Sequence, residues 1–389
     1  GDGYLDLVTG NTSSQANRVY LGNGNGTFAT GNDVDTPTNN TFSTSLGDLD
    51  GDGDLDLVTG NTGSQVNRVY LGNGNGTFAT GNDVDTPTNT TNSVSLGDLD
   101  GDGDLDLVAG NSGQVNRVYL GNGDGTFASG NDVTPTNTTE SASLGDLDND
   151  GDLDLVVGNF GSVNRVYLGN GDGSFATGSD IDTPTNQTMA VALGDLDSDG
   201  DLDMVAGNGN QVNRLYLGNG DGSFATGSDI DTPTNSTQGV SLGDIDGDGD
   251  IDFIAGNYGQ ANRIYRGNGN GTFAAGTDLA SSTNNTRFTV LGDLDGDGDL
   301  DLVEANQTQV NRVYLNNNSA TLSSISPVNA YPNFVRSGNI AATFSLAMTT
   351  ASVSNFAVRG EYTGTVAGAF SGGGSQTLFF NPTNDFRAG

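Results

Sequence analysis

The stretch from Asp48 to Asn61 reads "DLDGDGDLDLVTGN", with carboxylates at positions 1, 3, 5, 7 and 9 and a glycine, Gly53, at position 6. It returns with small edits five more times before residue 306, its first residue falling at Asp48, Asp98, Asp146, Asp195, Asp244 and Asp293, 48 to 50 residues apart. A truncated copy opens the chain, where Asp2, Gly3, Tyr4 and Asp6 match positions 5, 6, 7 and 9. A fixed period of this size is the mark of a repeat architecture in which each copy stacks on its neighbours.

Each unit runs through "SLGDLD", the acidic loop, "LDLVTGN", a polar turn, "NRVYLGN", a Gly-Asn turn, "GTFATG" and a Thr-Asn-Pro connector. Four short segments rich in Val, Leu, Tyr, Phe and Thr, separated by Gly, Asn and Asp, are strand and hairpin signals, and no segment has helical period. Four strands in about fifty residues is the dimension of one propeller blade. Residues 1–318 are therefore predicted to form an all-β, seven-bladed β-propeller of four-stranded blades, with the first and last units incomplete. A solenoid is the competing architecture, but tight antiparallel hairpins form a blade better than a coil turn.

Composition narrows the chemistry. The chain of 389 residues carries 46 Asp, 3 Glu and 12 Arg, with no Lys, His or Cys, for a formal net charge of -37. It therefore has no imidazole base, thiolate, Schiff-base amine or ordinary zinc site. Paired-carboxylate hydrolysis remains chemically open, but Glu140, Glu304 and Glu361 do not recur together, so the expectation is that the chain is not an enzyme. So acidic a surface repels nucleic acid and anionic lipid, and no run of eighteen apolar residues offers direct membrane insertion.

Alternate side chains of a tightly turned loop converge on one point, and a glycine at position 6 permits the sharp bend, as in the calcium loop of EF-hands. Carboxylates held this close repel, and a hard divalent cation turns that repulsion into binding energy. The candidate ligands are Asp48, Asp98, Asp146, Asp195, Asp244 and Asp293 at position 1, and Asp50, Asp100, Asp148, Asp197, Asp246 and Asp295 at position 3. Asp52, Asp102, Asp150, Asp199, Asp248 and Asp297 follow at position 5, and Asp54, Asp104, Asp152, Asp201, Asp250 and Asp299 at position 7. An EF-hand needs Glu at position 12, where this chain has Thr59, Ala109, Val157, Ala206, Ala255 and once Glu304. The last ligand is instead expected at position 9: Asp56, Asp106, Asp154, Asp203, Asp252 and Asp301. The bland alternative, that these are solvated turns, explains neither the alternation nor the fixed glycine.

The DxDxDGxxD loop, followed by "DLVxGN" and "NRVYLGNGxGTF", resembles the FG-GAP or VCBS repeat of integrin α-subunit propellers, bacterial surface proteins and a fungal lectin. That resemblance implies about seven structural Ca2+ ions, with side-chain oxygens from positions 1, 3, 5 and 9 and the backbone carbonyl of position 7. Tyr4 at position 7 of the truncated unit fits a main-chain ligand, and Asp2 and Asp6 would complete that site with upstream residues.

Other residues recur in register. The Arg of each "NR" pair either forms an anion-binding ring or pairs with nearby carboxylates, the second being the simpler expectation. Tyr70 and Phe78, once per unit, read as packing between blades. Asn39, Asn89, Asn137, Asn186, Asn235 and Asn284 each begin an N-x-T sequon, making them glycosylation candidates, or Asn and Thr simply cap the copied turn. The calcium loops and "GNGNG" turns should share one face, leaving connectors and "NTSSQAN" turns on the other as the contact surface.

After Leu315 the repeat stops, and residues 319–389, with "ATFSLAMTTASVSNFAVRG" and "QTLFFNPTNDFRAG", look like a truncated bacterial Ig-like β-sandwich. Both ends look incomplete, as a window on a longer chain or as partners in strand exchange. The expected function is that of an extracellular or cell-surface calcium-binding structural or adhesive protein, contacting other surface or matrix proteins, glycans or copies of itself. A lectin-like propeller binding glycans between blades and a non-catalytic module of a larger secreted enzyme are the alternatives.

Overall fold

The computed structural model describes residues 2–316 except 14, 36–38, 87, 184 and 280–282. Beyond residue 316 it describes only the backbone of 322–326, 340–348, 359–360, 364–365, 368–371 and 375–382. Two compact units are present, one of residues 1–245 with 250–315, the other of 246–249 with 316–389.

In the second repeat, Asn40–Gly47, Asp56–Thr62, Arg68–Tyr70 and Asn82–Asp83 form an antiparallel four-stranded sheet in chain order. The register pairs Gly47 with Asp56 across the acidic loop and Val58 with Val69 across the polar turn. The second strand is buried from Asp56 to Asn61 on both faces, with apolar Leu57 and Val58 flanked by the buried polar residues Asp56, Thr59 and Asn61. The protein is an all-β propeller with four-stranded blades.

The hydrogen-bond ladders correct the expectation of a seven-bladed propeller. Residues 7–314 form five sheets, of three, four, six, four and seven strands in chain order. The third unit has "NSGQVN" and "DVTPTN" where the second has "NTGSQVN" and "DVDTPTN". The shorter turn is shared with the later repeats, but the shorter connector is peculiar to the third unit, and there turn and connector stay extended. Asp106–Tyr119 becomes one ladder, and Asn131–Gly145 pairs with strands on both sides, fusing two blades into a six-stranded sheet. Asp252–Gln260 likewise reaches Asn284 and Asn285 and joins the last two repeats.

Neighbouring repeats meet through one recurring contact. Gly125 N–H donates to the Leu49 carbonyl at 2.9 Å, and Gly173, Gly222 and Gly271 do the same to Leu99, Leu147 and Leu196. Gly26 of the first repeat donates to Leu294 of the last at 3.0 Å, so the contact that joins neighbours also closes the ring. The apolar core lies between blades: Leu49, Val58, Val69 and Val84 of the second repeat pack on Val94, Leu107, Ala109 and Tyr119 of the third. Tyr70 is buried and Phe78 packs beside it against Val19, Val34 and Leu57, the inter-blade role its recurrence suggested. Each fully buried side chain of this kind contributes about 1.5–3 kcal/mol.

A second, polar device runs around the ring. The Asn164 side-chain amide donates to Thr188 Oγ1 at 3.0 Å, and that hydroxyl donates to Asn208 Oδ1 at 2.9 Å. Asn208 N–H donates to Asn213 Oδ1 at 2.9 Å, whose amide reaches Thr237 Oγ1 at 3.0 Å, and Thr237 passes to Asn257. The same links run from Asn11 and Asn17 through Thr41, Thr91, Thr139, Thr188 and Thr237 to Thr286 and Asn306. All six threonines are at most 1 % exposed, and they are the third residues of the six sequons. The sequon pattern therefore has a structural cause. Asn284 is itself buried and donates to Glu304 Oε2 at 3.4 Å, which removes it from the glycosylation candidates. Asn39, Asn89, Asn137, Asn186 and Asn235 are half-buried.

In the other unit, 322–326, 340–348, 375–382 and 368–371 pair in that order as a four-stranded antiparallel sheet, and 359–360 pairs with 364–365. The remainder of the expected Ig-like sandwich, Glu361 included, lies outside the described residues.

Thr188→Val keeps the shape of the side chain and strands a buried amide and a buried carbonyl oxygen. A loss of about 2–4 kcal/mol is expected in denaturant titration, while Thr188→Ser, which keeps the hydroxyl, stays within about 1.5 kcal/mol of the parent.

Candidate metal sites

Each acidic loop joins the first and second strands of a repeat, and its backbone is folded by its own carboxylates. In the second repeat Asp48 Oδ1 accepts the Gly51 N–H at 2.9 Å and Oδ2 accepts the Gly53 N–H at 3.0 Å. Asp50 and Asp52 each accept the N–H two residues on, at 3.3 and 2.8 Å. Gly53 at position 6 has φ of +89°, a conformation only glycine adopts without strain. In loops three, four, five and seven the position-6 glycines Gly103, Gly151, Gly200 and Gly298 likewise donate to the first Asp, while in loops four and five its Oδ1 accepts from Asp150 and Asp199 at position 5 rather than from position 4.

Position 9 is the structural root. Asp56 is 1 % exposed; its Oδ2 accepts Leu49 N–H and its Oδ1 accepts Gly72 N–H, both at 2.7 Å. Asp106, Asp154, Asp203 and Asp252 make the same two bonds, to Leu99 and Gly121, Leu147 and Gly169, Leu196 and Gly218, and Ile245 and Gly267. One carboxylate thus ties the loop to the Gly-Asn turn and places both on one face of the propeller. Asp301 accepts Leu294 N–H at 2.8 Å, and Asp6, which is exposed, accepts Gly22 N–H at 2.9 Å.

The loops gather ligand atoms within 4.8 Å of one another: Asp48, Asp50 and Asp56; Asp98, Asp100 and Asp106; Asp146, Asp148 and Asp154. Asp195, Asp197 and Asp199 cluster in the fifth, and Asp244, Asp246 and Asp248 in the sixth. Position 7 is different: the carboxylates of Asp54, Asp104, Asp152, Asp201 and Asp250 lie over Gly74, Gly123, Gly171, Gly220 and Gly269, where a Cβ would come within 2.3–2.5 Å of their oxygens. In the first unit the Tyr4 ring takes that place over Gly24, while Asp2 caps its own turn through Tyr4 N–H at 3.1 Å. The glycines of "GNGNG" are therefore required by what the loop lays across them.

Burial pushes the carboxyls of Asp56, Asp106, Asp154 and Asp203 up against the pull of their two N–H donors, and the aspartates at positions 3 and 5 push the same way. Asp203 rises to about 6. Asp100, Asp148 and Asp197 are raised by desolvation and then by the neighbouring carboxylate at position 5. Asp148 Oδ1 and Asp197 Oδ1 are buried and accept no hydrogen bond. An all-oxygen, like-charged donor set with unfilled acceptor capacity fits a hard divalent cation.

Six of the seven recurring arginines, Arg18, Arg68, Arg117, Arg165, Arg214 and Arg263, pair with carboxylates, as the simpler reading held. Arg68 lies within 3.7 Å of Asp35 from the preceding repeat and 3.4 Å of Asp83, bonds the Gly81 carbonyl, and sits 5.4 Å from the Tyr70 ring centroid. Sequence reasoning passed over Arg266, which stands where the other repeats carry leucine and donates to Asp252 Oδ2 at 2.9 Å, placing a fixed cation at the sixth loop. A single Leu-to-Arg change in register was the available signal.

The sequence profile of the FG-GAP-like repeat matches residues 1–59, 48–109, 98–157, 146–206, 195–255 and 244–304. This chain belongs to the FG-GAP-like repeat family. No curated protein matches the sequence significantly. Among solved structures, this FG-GAP-like chain is similar in fold to an Agrocybe aegerita lectin that recognises non-reducing terminal N-acetylglucosamine, at 20% identity and TM-score 0.58 over 82% of this chain and 91% of that one. The BP39L lectin of Burkholderia pseudomallei matches at 11% identity and TM-score 0.59, over 80% and 94%. The Dos1 propeller matches at 12% identity and TM-score 0.53, over 80% and 75%.

The raised Asp203 gives a sign to the pH dependence. Without cation the folded state keeps this proton to about pH 6, whereas an unfolded aspartate releases it near 3.8, so folding binds protons in that window. Stability of the chelated protein is therefore expected to fall as pH rises from about 4 to 6. Melting temperatures in chelator should drop between pH 5 and 7.5 and, in saturating divalent cation, should not.

Proposed function

We propose that this chain is a non-catalytic, calcium-stabilised binding module of an extracellular or cell-surface protein, holding its cations on one face and making adhesive contacts through the other. The observation that carries the reading is the repeated carboxylate cluster rooted in a buried position-9 aspartate. The position-1, 3, 5 and 9 carboxylates are thereby assigned to Ca2+, with the position-7 backbone as a further ligand, in up to seven loops. Each bound ion offsets two units of the formal net charge of -37 and relieves self-repulsion. Extracellular modules bind calcium with dissociation constants of about 10⁻⁴–10⁻³ M, which suits an external setting.

Committing the aspartates to metal and to backbone N–H groups leaves no paired acid and base for hydrolysis. Partners of the binding face are surface or matrix proteins, glycans or further copies of the chain, and residues 319–389 serve as an Ig-like spacer. A lectin-like reading has support from the fold shared with two lectins and from the aromatic residues Phe160 and Tyr258, which stand exposed on the connector face.

The test is a glycan and matrix-protein array in millimolar calcium, comparing substitutions on the two faces. Connector-face changes such as Phe160→Ala and Tyr258→Ala are expected to reduce binding at unchanged melting temperature, whereas Asp148→Asn should lower the melting temperature first. Binding lost only by loop substitutions in protein that remains folded would overturn the assignment of faces.

A further inference from the structure

The repeats are near copies, so positions where they differ in chemistry stand out. The residue after the buried threonine is Phe42, Asn92, Glu140, Met189, Gln238 and Arg287 in successive repeats, different in all six. It lies on the first strand of each repeat, beside the propeller axis, where the first strands bond one another through Ser43, Ser93 and Ser141. The residue after each "GN" or "AN" of the second strand is Phe160 and Tyr258 in two repeats, and Thr, Ser, Gly or Gln in the others. These two divergent positions meet at one place. A cavity of about 380 Å³ opens on the connector face, lined by Phe160, Met189, Gln238, Tyr258 and Arg287, with Gln187, Asn210 and Ser236.

The cavity inverts the chemistry of the rest of the molecule. In a chain of 49 acidic residues its described lining holds no carboxylate, and Arg287 is its one charged side chain. Six of the seven recurring arginines of the blades pair with aspartates, whereas Arg287 forms no ion pair with a described residue. It is held instead by neutral amides: Nη1 donates to Gln238 Oε1 at 2.8 Å, and Nε and Nη2 donate to Gln307 Oε1 at 3.1 and 2.9 Å. Its guanidinium carbon lies 5.0 Å from the Tyr258 ring centroid. Of its five N–H donors, two remain for a ligand, on a group whose planar fork matches a carboxylate. Glu140 faces Arg287 at longer range, and burial holds its carboxyl up at about 7.

We propose that this cavity is a binding site for a small carboxylated saccharide of the uronic acid kind. Arg287 takes the carboxylate, Tyr258 and Phe160 offer flat apolar faces to the sugar ring, and Gln187, Asn210 and Ser236 meet its hydroxyls. The volume is at the small end of ligand sites, suited to one or two sugar rings. This site deepens and rests on the lectin-like reading of the connector face, whereas the cation-stabilised module needs no small-ligand pocket and does not depend on it.

The test is saturation-transfer NMR on the full chain in about 5 mM calcium (about five times the looser extracellular dissociation constants), with methyl glucuronoside, its methyl ester, methyl glucoside and acetate as probes. The glucuronoside is expected to bind, with the ester and the glucoside at least about ten-fold weaker, one lost charge-assisted contact being enough for that factor, and acetate, which keeps the carboxylate but lacks the ring, weaker as well. Arg287→Gln should erase the preference over the ester, and Phe160→Ala should weaken the glucuronoside without touching the cation-dependent melting temperature. Equal binding of acid and ester, acetate binding as tightly as the sugar acid, or no binding of any probe overturns the proposal. Because the ester comparison uses the unaltered protein, a misfolded variant cannot decide the result. A normal calcium response with no sugar binding would remove this site and leave the cation-stabilised module standing.

Discussion

Everything in the propeller passes through the aspartate at position 9. Its carboxylate is shut away from solvent, spends both oxygens on backbone N–H groups of two different hairpins, and still carries a charge that burial disfavours. Removing it would free the loop from the turn that docks on the preceding blade. Burial disfavours that charge, and the neighbouring carboxylates at positions 3 and 5 push the same way. The residue that fixes the geometry of the loop is therefore also the one on which a bound cation would act most strongly.

The second constraint is the Asn-Thr-Asn belt. Apolar packing between blades is non-directional and tolerates sliding, whereas a buried hydroxyl that must donate to one asparagine and accept from another fixes register between repeats. Because the belt is the same in every repeat, it sets how far neighbouring blades can slide rather than which blades are neighbours. The belt explains why "GN", "NR" and N-x-T recur at fixed distances, and it leaves the residue after each threonine free to diverge toward the axis.

Much of this was legible in the sequence. Alternating carboxylates with glycine at position 6 announce a convergent loop, and four β segments per fifty residues announce a blade, because both depend on local spacing. The sharing of one face by loops and Gly-Asn turns also follows from strand alternation. What depended on tertiary closure was not legible. N-x-T has two physical meanings, and only the burial of Thr188 and its relatives reveals the hydrogen-bond hub. The fusion at the third unit goes with its one-residue-shorter connector, whose effect on ladder pairing is set by neighbours. The backbone-carbonyl role expected of Asp54 and its equivalents leaves their carboxylates for another place, over the adjoining glycines. Arg287 drew no notice because its surroundings exist only once the ring has closed.

The two faces thus divide the work. Carboxylate charge is concentrated at the loops, and chemical diversity is concentrated at the connectors and the axis. The most direct measurement of this account is calorimetric titration of calcium into chelated protein, with the melting temperature followed at each addition. The account requires heat from several loops at once and a melting temperature that climbs with occupancy until the loops are filled. A protein that takes up no calcium, or takes it up with no change in stability, would contradict it.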